Sequence, residues 1–126
     1  PAAFYTASDT NGNGMGQLQW FTPTGTTPDS TYWSDANNHA LAWRVDGTEF
    51  SDPAGALYVG YNGWSGDVDF TLPSPGAGKN WYRVTDTSSW AEGPDQVAQS
   101  GSESYIGGTG TVYRLHARAT LLLIAK

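Results

Sequence analysis

Residues 56–90 read as three strands joined by turns, each strand alternating side chains between two faces with a period of two. In residues 67–72 the apolar set is Val68, Phe70 and Leu72, and the polar set is Asp67, Asp69 and Thr71. In residues 57–62, Leu57, Val59 and Tyr61 share one face, and Tyr58, Gly60 and Asn62 the other. In residues 80–85, Tyr82 and Val84 oppose Trp81 and Arg83. The links carry turn residues. Residues 62–66 (NGWSG) predict a tight hairpin loop, and residues 73–78 a loop rich in Pro and Gly.

The flanks extend the pattern. Residues 17–21 predict a short strand, and residues 39–45 another, ended by the Asp46-Gly47 turn signal. The last two strands are expected over 111–115 and 118–125, with a bend at His116 and Ala117. Residues 9–16 (DTNGNGMG) read as turns, 22–30 as a loop and 88–110 as a long irregular stretch. No segment predicts a convincing helix. About seven or eight short strands with turn-rich links predict an all-β fold, an antiparallel β-sandwich of Greek-key type. The apolar final strand is expected to be tied into the core, which makes Lys126 the expected natural C-terminus; Pro1 is not a natural start.

Composition narrows the partners. The 126 residues suit one domain. Six Lys and Arg against twelve Asp and Glu give a net charge of −6, so neither nucleic acid nor an anionic membrane is an expected partner. The longest apolar run, residues 119–125, is far short of a membrane span. Without cysteine there is no disulfide, thiolate metal site or thiol nucleophile.

The candidate chemistry is sparse. Asp9, Asn11 and Asn13, followed by Gly14, match the first half of a calcium loop, but Trp20 stands where a bidentate Glu is needed. These three are weak metal candidates, and plain turn structure is the better reading. His39 and His116 have no metal-ligand spacing. Asp67 with Asp69, Asp35 with Glu49, and Glu92 with Asp95 show no sign of being held across a sugar ring, as glycoside hydrolysis requires. No catalytic residue and no cofactor is assigned. Aromatic content is the remaining signal, with six Trp and seven Tyr. Flat rings stack on the C–H faces of sugars, and large aromatic residues also fill interfaces. Trp20 and Trp43 lie within strands and are expected to be buried. Trp64, at a hairpin tip, and Trp90 and Trp33, in loops, are the sugar-stacking candidates.

The strand, NGWSG turn, TLP ending and WYRVTDT strand of residues 57–86 resemble the C-terminal β-sandwich of glycoside hydrolase family 13, isoamylase type. The resemblance extends through NGNGMGQLQWF, TPTG and YWSDANNHALAWRVDG to the tail YRLHARATLLLIAK. It implies a non-catalytic C-terminal domain of an α-1,6-glucan (glycogen and amylopectin) debranching enzyme. Its partner would be a (β/α)8 catalytic barrel, which needs about 250 residues and cannot lie within this chain. Residues 1–33 would be the exit segment from that barrel plus the first strand, and 34–126 the sandwich. Trp20, Phe21, Tyr32 and Trp33 would face the barrel and, without it, form an exposed apolar patch. An α-glucan-binding module using exposed Trp residues is the alternative role. An extracellular or periplasmic bacterial setting is expected.

Overall fold

The computed structural model describes residues 6–52, 55–88 and 97–126. Strands β1 (Leu18–Phe21), β2 (Ala40–Asp46), β3 (Ala56–Asn62), β5 (Trp81–Asp86), β6 (Ser104–Gly107) and β8 (Ala119–Ala125) form one antiparallel sheet in the order β1-β2-β3-β8-β5-β6. Strands β4 (Val68–Thr71) and β7 (Val112–Leu115) form a second, two-stranded sheet. The fold is the expected all-β sandwich. The C-terminal strand β8 is central, inserted between β3 and β5, so the most apolar segment of the sequence occupies the most enclosed position.

The core lies between the sheets. Phe70, Leu72, Tyr113 and Leu115 from the small sheet and its margins meet Ala42, Tyr58, Trp81, Leu121 and Leu123 of the large one. Each fully buried side chain of the Leu or Phe size stabilises the fold by roughly 1.5–3 kcal/mol relative to exposure. Several polar groups inside are paired, while the Tyr58 hydroxyl, Arg44 Nε and Ser88 Oγ are buried without a partner among the described residues. The Trp81 indole donates to the Pro73 carbonyl at 2.8 Å. The Tyr113 hydroxyl donates to Asp86 Oδ2 at 2.5 Å, and the Ser88 amide to Asp86 Oδ1 at 2.8 Å. Buried Asn62 ties the β3–β4 hairpin to the end of β7. Its Nδ2 donates to the carbonyls of Gly66, Leu115 and His116 at 2.9, 3.0 and 3.1 Å, and its Oδ1 accepts from the Trp64 amide at 2.9 Å.

Three local differences from the expected elements have physical causes. A single helical turn, α1 (Ser30–Ser34), forms where no helix was expected, because Asp29 caps it by accepting from the Tyr32 amide at 2.8 Å. Strand β6 sits inside the stretch expected to be irregular; as an edge strand it needs one partner and little apolar alternation. In β5, Trp81 and Asp86 are both buried although five residues apart, a spacing that puts them on opposite faces of a regular strand. Register shifts between Trp81 and Tyr82 and between Arg83 and Thr85 reverse the alternation.

Candidate functional site: the outer face of the large sheet

Residues directly opposite in an antiparallel ladder point to the same side. On the side of the large sheet away from β4 and β7, that rule generates three apolar rows. The first crosses all six strands: Leu18, Val45, Leu57, Ile124, Tyr82 and Tyr105. The second is Trp20, Trp43, Val59 and Leu122, and the third Leu41 and Tyr61, followed by Thr120. These side chains are half-buried or exposed, whereas their neighbours in sequence line the core.

The aromatic residues of this face hold one another. Trp20 packs against Trp43 at 5.5 Å between ring centroids and meets Trp33 edge-on at 5.9 Å. Tyr82 and Tyr105 form an edge-on pair at 5.5 Å. Trp20 is 41% exposed, which corrects the expectation that it is buried. Phe21, expected beside it on the apolar patch, lies on the opposite side of β1 and is only 7% exposed, because consecutive strand residues alternate faces. The Arg44 guanidinium stacks over the Phe21 ring at 5.3 Å, and donates to Ser74 O at 2.9 Å and to Gln19 Oε1. Burial lowers the Arg44 pKa, partly opposed by the charge of Asp46. Tyr32 is half-buried, with its hydroxyl donating to the Ala40 carbonyl; Trp33 beside it is exposed.

Trp64 is exposed at the hairpin tip, edge-on to the His39 ring at 4.4 Å. Trp33 and Trp64 therefore flank one end of the large sheet, where a cleft of about 370 Å³ opens. Trp90, Glu92 and Asp95 lie outside the described residues.

The other candidates are engaged locally. Asp9 accepts from the amides of Gly12, Asn13 and Gly14, Asn11 Oδ1 from Asn13, and Asn13 Oδ1 from Met15. The loop thus spends these oxygens on its own backbone, as turn structure does. Among the described residues no three His, Cys, Asp or Glu side chains gather in a metal-binding group. Asp69 accepts from Arg114 at 2.9 and 3.3 Å, and the arginine holds its carboxyl below the usual range. Asp67 pairs with His116 at 2.8 Å. Glu49 accepts from the amides of Thr10 and Asn11, and Asp35 from that of Asn37.

The sequence reading missed Leu57, Val59, Leu122 and Ile124 as surface residues. The signal was present in β2 (ALAWRVD) and β8 (ATLLLIA), which carry apolar residues at both parities, as strands covered on two sides do.

A family model described as "Isoamylase, C-terminal" matches residues 17–124. An isoamylase from Flavobacterium sp. is 66% identical over 126 residues, covering 100% of this chain and 16% of that protein. An isoamylase from Pseudomonas amyloderamosa is 43% identical over the same 126 residues, 15% of its length. A solved structure of a pullulanase from Bacillus acidopullulyticus matches with a TM-score of 0.50 at 18% identity, over 86% of this chain and 10% of that one, a likeness of fold alone. The chain thus spans about a sixth of the length of the isoamylases it matches, by the 16% and 15% coverages.

Proposed function

The chain belongs to the isoamylase C-terminal domain family, and on that premise we propose that it is the non-catalytic C-terminal domain of an α-1,6-glucan debranching hydrolase, seated on the catalytic barrel through the outer face of its large sheet. The observation that carries this reading is the pair of apolar cross-strand rows that begin at Leu18 and Trp20 on that face, the third row, Leu41 and Tyr61, lying at the cleft instead. A free-standing domain rarely exposes an apolar patch beyond a few hundred Å². Interfaces between domains of one chain typically bury about 600–1,500 Å², and the first row alone crosses all six strands of the sheet. Covering it stabilises barrel and sandwich together, because whatever binds only the folded state shifts the folding equilibrium toward it. The engagement of Asp67, Asp69, Asp35 and Glu49 in local pairs and turns supports a role without chemistry of its own.

The test is to mix this chain with a separately produced isoamylase barrel. The chain raises the barrel's melting temperature, and the free chain binds a hydrophobic dye that the barrel displaces. Leu57→Lys with Trp20→Ala abolishes both effects while the chain stays folded. A chain that binds no dye, or whose double variant still stabilises the barrel fully, overturns the reading.

A further inference from the structure

Beyond docking, we propose that the cleft at the end of β2 and β3 is a binding site for a short α-linked gluco-oligosaccharide. The choice of α-linked glucose rests on the family reading above; the cleft's suitability for a neutral sugar does not. The cleft opens where β2 begins and β3 ends, and its principal lining is Tyr32, Trp33, Asp35, Asn38, His39 and Tyr61. At about 370 Å³ it falls at the small end of ligand clefts, which span roughly 300–1,000 Å³, so it suits a short stretch of chain.

Its chemistry is that of sugar recognition. Exposed aromatic rings, Trp33 (53%) and Tyr61 (49%), give apolar faces for C–H groups. One carboxylate, one amide and one imidazole supply planar hydrogen-bonding groups for hydroxyls. Among the described residues no lysine or arginine lines the cleft, so their side chains offer no counter-charge for a phosphate or carboxylate ligand.

The walls are also fixed before any ligand arrives. The Tyr32 hydroxyl is bound to the Ala40 carbonyl, and Asn38 Nδ2 donates to the Tyr32 carbonyl at 2.9 Å. His39 is braced edge-on by Trp64, and its carbonyl accepts from the Gly63 amide at 2.7 Å. Gly63 lets the Tyr61 ring lie against this turn: a Cβ there would stand 3.1 Å from the Tyr61 hydroxyl and 2.9 Å from the His39 carbonyl. Trp64, the hairpin tryptophan, thus acts as a positioning residue for His39 rather than as the stacking platform.

The experiment titrates this chain with maltoheptaose, following tryptophan fluorescence and amide chemical shifts, with cellohexaose as the β-linked control. Saturable binding of maltoheptaose is expected, with shifts centred on residues 32–39 and 61–64. His39→Ala and Trp33→Ala, both exposed positions, each weaken it about tenfold, a loss of about 1.4 kcal/mol. Leu57→Lys, which lies on the docking face and away from the cleft, binds sugar as the unaltered chain does. Melting curves confirm that each variant is folded. Absence of saturable binding, equal binding of cellohexaose, or a Leu57→Lys loss as large as that of His39→Ala overturns the proposal. Barrel association is measured on the same variants, and there Leu57→Lys is the damaging change and His39→Ala is not. Sugar binding and docking can therefore fail independently.

Discussion

The sandwich has two outer faces, and they are unlike. On the small sheet and its margins, Asp69 pairs with Arg114 and Asp67 meets His116 Nδ1 at 2.8 Å, all at exposed positions, with Val112 the exposed apolar residue beside them. On the large sheet the corresponding layer is Leu18, Trp20, Trp43, Val45, Leu57, Val59, Leu122 and Ile124. A two-layer sandwich needs one apolar interface, and the outer faces of such sheets are ordinarily polar. The small sheet follows that rule; the large sheet is composed as the middle layer of three. Under the proposed docking, one face meets solvent and the other the catalytic barrel.

Substitutions can break or sharpen that contrast. The largest effect on stability belongs to the layer between the faces: Phe70→Ala, at a fully buried position, costs about 3–5 kcal/mol in urea unfolding. Tyr113→Phe removes the donor to buried Asp86 and costs about 2 kcal/mol in the same measurement. Leu57→Lys, on the apolar outer face, changes the isolated chain's stability by no more than about 1 kcal/mol, yet weakens association with the barrel at least about tenfold in calorimetry. If Leu57→Lys cost as much as Phe70→Ala, the outer face would be core, and the contrast would be lost.

Tyr58 gives a subtler probe, facing inward from the strand whose alternate residues face out. Its hydroxyl is buried with no hydrogen-bond partner among the described residues, so Tyr58→Phe is neutral or stabilising by about 1 kcal/mol near pH 7. Burial pushes the Tyr58 phenol above its ordinary pKa of about 10, and burial followed by the Asp86 hydrogen bond does the same for Tyr113. Both contributions to stability are complete below pH ~10 and are lost as pH rises beyond it, because the unfolded chain ionises first. Stability measured against pH should fall in the alkaline range, less steeply in Tyr58→Phe. The smallest effect is expected on the charged face, where Asp69→Asn leaves the melting temperature unchanged because the pair is exposed.

Much of the fold was legible in the sequence because alternation is a local property. Val68, Phe70 and Leu72 point inward as their spacing predicts. What was not legible depended on neighbours far along the chain. Whether Trp20 faces the core or the outside depends on how β1 meets β2, which seats Trp20 beside Trp43 and turns Phe21 inward. The burial of Trp81 together with Asp86 depends on register shifts against β6 and β8 that no local pattern encodes. The apolar outer face emerges only when six strands, drawn from residues 18–125, are placed side by side. Trp33 was recognisable as exposed, but the cleft it shares with His39 and Tyr61 forms from segments that the sequence separates.

Asn62 has a consequence for the hairpin tip. Because it grips carbonyls of its own loop and of the end of β7, the segment that carries Trp64 is anchored to the core and moves with both sheets. The conformational freedom of that tip is lost during folding and not on ligand arrival, so the wall behind His39 imposes little further entropic penalty on whatever binds there.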